Sequence, residues 1–421
     1  MDKFIINGKK KLSGSVKISG AKNASLALMP ASLLVDGVTV LKNTPKLNDV
    51  YTMIKLLNQL GVKSEFDDHS LKLNCSNITS QTAPYDHVKK MRASVYVLGP
   101  LLGRFGYAKV SLPGGCAWGP RPINLHLEGL KKLGAEIELE QGYIIAKCKK
   151  LIGTKVSFDK SSVGATGNIL MAAVLAKGTT IINNSAMEPE ITNLAEFLVK
   201  CGAKINGINT PILEVEGVDE LKPAEMNTIP DRIEAGTLLI AGAITQSKIS
   251  ITGAVFTHLY SVVSKLEDAG VKISVNSNSI ELDATDHEPE SIDVTTAIYP
   301  GFPTDMQAQW MAYMCTAKGT STISDTIYLD RFTHAPELAR LGADITVKEN
   351  SAIVKGTSKL VGAKVMSTDL RASASLVLAG LASEGTTEVL RVYHLDRGYE
   401  KLEDKLATLG ADISRIAGAE F

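Results

Sequence analysis

The sequence predicts an α/β protein of two domains, each made of three copies of one small unit packed around buried helices. Three observations predict it. First, one pattern recurs six times in 421 residues: an amphipathic leucine-rich segment, a glycine, then a strand. The copies are LLNQLGVKSEF, LKKLGAEIEL, FLVKCGAKING, KLEDAGVKISV, LARLGADITV and LATLGADISR. Their glycines, Gly61, Gly134, Gly202, Gly270, Gly342 and Gly410, fall 68 to 73 residues apart. Self-similarity at that period marks a small α/β module rather than a solenoid turn. Second, each unit holds another helix that is apolar nearly all round. Third, the longest non-repeating stretch, Asn206 to about Arg232, separates three units from three, and the boundary belongs in its later part.

The helix before each glycine carries one apolar stripe. In the third copy Leu194, Phe197, Leu198 and Cys201 stand at helical spacing, so one face covers a core and the other meets water. In the sixth, Leu395, Tyr399, Leu402, Leu406 and Leu409 read as one continuous stripe. A glycine at the helix end is the expected cap, because it enters the left-handed region without strain. The second helices are KNASLALMPASLL, MRASVYVLGPLL, GNILMAAVLA, EAGTLLIAGAI, DMQAQWMAYMC and RASASLVLAGLA. With no polar face they are expected to be buried on every side. A turn and a β-branched strand follow each: GVTVLKN, YAKVSL, GTTIINN, KISITGA, GTSTISD and GTTEVL. Strand-like pieces, KLSGSVKIS, KLIGTKVSF and KLVGAKVMS, precede three of these helices.

Composition excludes several classes. Basic and acidic residues balance at 45 each, so no overall field favours nucleic acid or a membrane surface. The start, MDKFIINGKKKLSG, lacks an apolar signal core, and no apolar run is long enough to span a bilayer. A cytoplasmic protein is expected. The five cysteines, Cys75, Cys116, Cys148, Cys201 and Cys315, form no C-x-x-C pair, which fits reduced thiols. Four lie in strand-like or helical apolar runs and read as small buried hydrophobes. No metal-ligand spacing, Walker loop or dinucleotide fingerprint is present, so no dedicated metal site is expected.

Cys116 differs from the other four. It sits in LPGGCAWGPRPINLH, residues 112–126, a long glycine-rich loop. Such a loop inside a compact repeat points to function, and nearby Arg121 would lower a thiol pKa from about 8.5. Other unusual polar residues gather by topology. A buried helix runs away from its start and the next strand returns, so helix starts and strand ends share one end of a domain. Lys22, Asn23, Arg92, Ser162 to Thr166, Arg232, Asp305, Asp369 and Arg371 stand at helix starts. Cys116, Arg121, Glu188, Glu190, Arg331 and Arg397 stand in the returning loops. Lys22, Arg92, Arg121, Arg331, Arg371 and Arg397 make a cationic rim suited to phosphate and carboxylate.

The motifs ISGAKNA (18–24), KMRAS (90–94), LPGGCAWGPRP (112–122), SVGATGNI (162–169), PDRIEAGT (230–237), FPTDMQAQ (302–309), TDLRASASLVLAG (368–380) and DRGYE (396–400) carry a family resemblance over the whole chain. It resembles the bacterial UDP-N-acetylglucosamine 1-carboxyvinyltransferases of the EPSP synthase superfamily. The resemblance implies two inside-out α/β domains, residues 22–229 and residues 1–21 with 230–421, and a site in the cleft between them. It implies transfer of enolpyruvate from phosphoenolpyruvate to the 3-hydroxyl of UDP-N-acetylglucosamine, the first committed step of peptidoglycan synthesis, without a cofactor. By the same resemblance Cys116, Asp305, Lys22 and Arg397 are catalytic, and a fosfomycin-type inhibitor is expected at Cys116. Substrate binding falls to Lys22, Asn23, Arg92, Arg121, Pro122, Ile123, Asn124, Leu125, Lys160, Ser162, Val163 and Gly164. It also falls to Asp305, Ile327, Arg331, Asp369, Arg371 and Arg397. The sequence departs from the family pattern at Asn48, Trp118, Pro120 and Asn124, and in YLDR at 328–331. The alternatives are a 5-enolpyruvylshikimate-3-phosphate synthase-like transferase, an RNA 3′-phosphate cyclase and a non-catalytic sugar-nucleotide sensor. The LPGGC loop argues against the first.

Overall fold

The computed structural model describes residues 2–88, 91–112, 123–328, 330–357 and 359–418. It divides into two compact units, Gly20–Ile229, and residues up to Ser19 joined to those from Pro230 onward. Among the described residues each unit has three four-stranded sheets, all of one design. In one sheet Lys155–Ser157 pairs in parallel with Thr179–Asn183, which pairs antiparallel with Ile212–Glu216, with Lys204–Asn206 outermost. Parallel neighbours need a crossover, and the apolar helix supplies it.

Six helices form the interiors: α1 (Lys22–Ala31), α2 (Leu98–Phe105), α3 (Val163–Ala173), α4 (Arg232–Ile244), α5 (Gln307–Met314) and α6 (Leu370–Ala382). Every residue of α5 is buried, as is all of α4 beyond Arg232 and all of α6 beyond Leu370. Small residues let these helices approach closely. A Cβ at Gly99 of α2 would collide with the Asn168 carbonyl of α3. Outside, all six pattern glycines hold φ between +92° and +105°, closing the amphipathic helices as the repeat predicts.

Three readings of the sequence needed correction. The last turn of α2 is half-exposed, and Arg104 there donates to the carbonyls of Leu33, Val35 and Cys75. The segment before α2, Arg92–Val97, is wound as a 3-10 helix. Pro100 explains this, since its ring clashes with a carbonyl four residues back. The stripe from Leu395 to Leu409 is not one helix. A 3-10 turn, Val392–Arg397, is separated from Leu402–Thr408, and Lys401 stands between them in the left-handed region at φ 47°. All five stripe residues are nevertheless buried, so burial followed the pattern although the backbone did not.

Candidate active site

Among the described residues, in four of the six sheets the apolar helix joins the two parallel strands and starts at the carboxyl end of the first, so polar residues at those helix starts are presented at one end of their sheets. In the unit Gly20–Ile229, α3 begins at Ser162, whose hydroxyl accepts from Ala165 N at 3.3 Å. Val163 and Gly164 form its first turn, half-buried, with exposed Lys160 just before. Exposed Arg92 opens its 3-10 helix nearby, and the Tyr96 hydroxyl in that helix donates to Val163 O at 3.3 Å. Half-buried Ile123 precedes the helix Asn124–Lys132, where Asn124 is exposed and Leu125 half-buried. Backbone donors at a helix start, with Arg92 and Lys160 near it in the sequence-predicted set, are groups of the kind that suit an anion.

His126 belongs to this group although the sequence pattern did not mark it. It is 6% exposed, and its ring lies 3.0 Å from where a Cβ on Gly164 would stand. Asn168 fixes its proton. The Asn168 Oδ1 accepts from Gly99 N at 2.8 Å, so its Nδ2 donates, to Val95 O at 3.0 Å and to His126 Nδ1 at 2.8 Å. The His126 proton is therefore on Nε2, beside the start of α3. Burial, with Arg92 adding, pushes its pKa down from 6.5 to about 4. The unfolded chain takes up this proton as pH falls through 6.5 and the folded chain does so only near 4. Stability contributed above 6.5 is thus lost across that window, by on the order of 3 kcal/mol. Denaturant melts between pH 7 and 4 check this: a His126→Gln chain is expected to lose markedly less over the interval.

At the start of α1 stand Lys22 and Asn23, and Lys22 was expected on a cationic rim. Asn23 is half-buried, but Lys22 is only 8% exposed, and its Nζ pairs with Asp49 Oδ2 at 2.8 Å. The apolar helix draws the lysine stem inward, and the aspartate compensates its buried charge.

The other unit concentrates its polar groups on one aspartate. Asp305 lies in the 3-10 turn Thr304–Met306 leading into α5. Arg331 Nη2 donates to its Oδ1 at 2.8 Å and Arg371 Nε reaches its Oδ2 at 3.4 Å. Arg371 is 2% exposed, again not a rim residue. Its guanidinium stands 5.1 Å from the centre of the Tyr399 ring. Burial alone would lower the pKa of Arg371, but Tyr399, Asp305 and Asp231 outweigh it and keep the group charged. For Arg331 burial is outweighed in the same way by Asp305 and Asp369. Asp369 caps α6, its Oδ1 accepting from Arg371 N at 2.6 Å and Ala372 N at 3.0 Å. Half-buried Ile327 lies in the loop before Arg331, and half-buried Arg397 ends its 3-10 turn. Asp305 and Arg331 belong to the fifth repeat and Arg371 to the sixth, and the two arginines stand 26 and 66 residues from Asp305, so no short sequence spacing announces their contact.

Cys116, Arg121 and Pro122 lie outside the described residues. Of the described thiols, Cys75, Cys201 and Cys315 are buried and Cys148 is half-buried. Burial raises all four, Cys75 to about 11 and Cys201 and Cys315 to about 12. Among the described residues no His, Cys, Asp and Glu group is placed to hold a metal ion, and no helix is long and apolar enough to cross a membrane.

Known proteins share this architecture and sequence. The family described as EPSP synthase (3-phosphoshikimate 1-carboxyvinyltransferase) matches residues 6–406. A UDP-N-acetylglucosamine 1-carboxyvinyltransferase from Chloroherpeton thalassium is 58% identical, covering 100% of this chain and 99% of its own. One from Trichlorobacter lovleyi is 54% identical, covering 99% of this chain and 100% of its own. The chain belongs to the UDP-N-acetylglucosamine 1-carboxyvinyltransferase family. Solved structures agree on the fold of this family. The enolpyruvyl transferase NikO from Streptomyces tendae superposes with a TM-score of 0.89 at 25% identity over 99% of both chains. An EPSP synthase from Acinetobacter baumannii gives 0.78 at 16% identity over 99% of this chain and 100% of its own, a likeness of fold alone. The six sheets around buried helices are thus the inside-out α/β arrangement of the enolpyruvyl transferases.

Proposed function

We propose that the chain transfers the enolpyruvyl group of phosphoenolpyruvate to the 3-hydroxyl of UDP-N-acetylglucosamine, releasing phosphate. Full-length identity of 58% to a relative named for that reaction carries the reading. In this scheme Asp305 removes the proton from the sugar 3-hydroxyl. Arg331 and Arg371 beside the carboxylate hold it in place. Cys116 gives a proton to the terminal carbon of phosphoenolpyruvate, and the sugar oxygen bonds to the neighbouring carbon. The tetrahedral ketal then expels phosphate, which takes the proton held by Asp305, and the new methyl group returns a proton to the Cys116 thiolate, restoring the double bond and both side chains.

Lys22, Arg121 and Arg397 hold the phosphate in this proposal. An ammonium has three protons, so the bond to Asp49 is compatible with a phosphate contact. Arg331 and Arg371 receive the carboxylate, and Asn23 and Asp305 position the sugar. Arg92, Lys160 and the first turn of α3 take the diphosphate, with His126 Nε2 beside them. Pro122, Ile123, Asn124, Leu125 and Ile327 complete the nucleotide and sugar contacts, and Asp369 holds the start of α6 in place. The reaction commits sugar nucleotide to peptidoglycan in the cytoplasm. Phosphate release from phosphoenolpyruvate that requires UDP-N-acetylglucosamine checks this. Release with shikimate 3-phosphate instead, or with neither, overturns it.

Cys116 is expected to be the thiol alkylated by a phosphonate epoxide of the fosfomycin type, because burial keeps the other four protonated. Peptide mass mapping after brief exposure reads this. UDP-N-acetylglucosamine is expected to speed labelling and phosphoenolpyruvate to compete. Label on half-buried Cys148, or inhibition with Cys116 unmodified, removes Cys116 from this role.

A further inference from the structure

Thr304 and Asp325 form a chain of hydrogen bonds that ends on the Asp305–Arg331 pair. Asp325 is wholly buried just after the strand Thr320–Ser324. Its Oδ1 accepts from Thr296 Oγ1, Ile327 N and Tyr328 N, each at 2.9 Å. Its Oδ2 accepts from Thr304 Oγ1 at 2.6 Å. A threonine hydroxyl has one proton, and here it is given to Asp325. Thr304 therefore turns lone pairs toward Arg331, whose Nη1 donates to it at 2.9 Å. The same guanidinium places Nη2 on Asp305 Oδ1 at 2.8 Å. A planar fork held at both ends cannot rotate.

We infer that Asp325 is a positioning residue: by claiming the Thr304 proton it makes that hydroxyl an acceptor, which orients Arg331 and through it Asp305. The inference rests on the enolpyruvyl-transfer reading for its kinetic consequence but not for its geometry. The loop bonds and the Thr304 bond use different oxygens of Asp325, so the two roles separate. In Asp325→Asn the remaining oxygen can keep Thr296, Ile327 and Tyr328. The amide takes the place of Oδ2 and donates to Thr304. The Thr304 proton must then turn outward, where it opposes the Arg331 donor. Thr304→Val deletes the acceptor altogether, and Thr304→Ser keeps it.

A double-mutant cycle tests this by kinetics and by nitrogen-15 NMR of the Arg331 guanidinium. Asp325→Asn and Thr304→Val are each expected to lower kcat by roughly ten- to a hundredfold, the scale of a hydrogen bond to a charged group. The KM for the sugar nucleotide is expected to change less than about twofold. Thr304→Ser is expected to restore kcat. On the Thr304→Val background, Asp325→Asn is expected to add almost nothing, because its route is already cut. Guanidinium rotation is expected to be slow in wild type and Thr304→Ser, and fast in Asp325→Asn, Thr304→Val and the double variant. An Asp325→Asn loss that persists on the Thr304→Val background means that the residue only braces its loop, and the inference fails. Slow rotation in Asp325→Asn overturns it as well. If wild type releases no phosphate, the functional reading fails, while the rotation measurement still decides this one.

Discussion

Asp305→Ala is expected to lower kcat by about a hundred- to ten-thousandfold, the usual worth of a positioned general base, while sparing affinity for UDP-N-acetylglucosamine. The structure adds a control. Asp305 accepts from Arg331 and approaches Arg371, whose side chain is 3% exposed. Truncation therefore leaves a buried guanidinium without that carboxylate and also costs stability. Asp305→Asn keeps the volume and one oxygen for Arg331, and is expected to lose nearly as much turnover with a smaller fall in Tm. Phosphate release, calorimetric titration of the sugar nucleotide and thermal melts separate the effects. Retained turnover in either variant, or affinity lost in step with it, would remove Asp305 from the base role.

Lys405→Met is expected to cost about 3–5 kcal/mol of folding stability, the range for breaking a buried pair by removing one partner. Glu234 of α4 is 1% exposed. Its Oε1 accepts from Lys405 Nζ at 2.7 Å and its Oε2 from Ser19 N at 2.7 Å. Lys405 Nζ also donates to Ser19 Oγ at 2.6 Å. The pair thus pins the last residue before the chain leaves this unit. Burial raises the Glu234 pKa above its ordinary 4.5, and Lys405 pulls it back. Without Lys405 it rises further. The folded variant then takes up its proton at higher pH than the unfolded chain, so the deficit is expected to shrink as pH falls toward 4.5. Urea melts at pH 7 and 5 read the difference. A deficit independent of pH, or one that Glu234→Gln fails to relieve in the double variant, would mean that lost lysine packing sets the cost.

The repeat was legible because its signals are local. A glycine must follow each amphipathic helix where the backbone turns left-handed, and φ at Gly61, Gly134, Gly202, Gly270, Gly342 and Gly410 bears this out. A helix without a polar face must be buried, as α4 to α6 are. The family was legible because eight motifs spread over the chain each match. What could not be read from spacing is pairing between distant segments. Lys3–Asn7 is the third strand of the sixth sheet, between Thr386–Leu390 and Asp412–Ile416, since no strand follows the latter among the described residues. Ser13–Lys17 precedes α1 in sequence yet pairs with Lys248–Thr252 after α4. Glu225–Asn227 precedes α4 yet pairs with Val38–Lys42 after α1. Each exchange satisfies a sheet edge, and edge satisfaction leaves no periodic trace.

The same division holds at the site. By itself the sequence determined the type of unit, the helix starts that carry Lys22, Ser162, Asp305 and Arg371, and the family, because residue type and near-neighbour spacing set these. Tertiary structure alone decided that Lys22 is buried against Asp49, that Arg331 and Arg371 converge on Asp305, that Asn168 sets the His126 proton, and that Asp325 turns the Thr304 hydroxyl. The physical reason is that a buried polar group must find a partner, and which partner it finds depends on how the helices of different repeats pack, not on the order of residues along the chain.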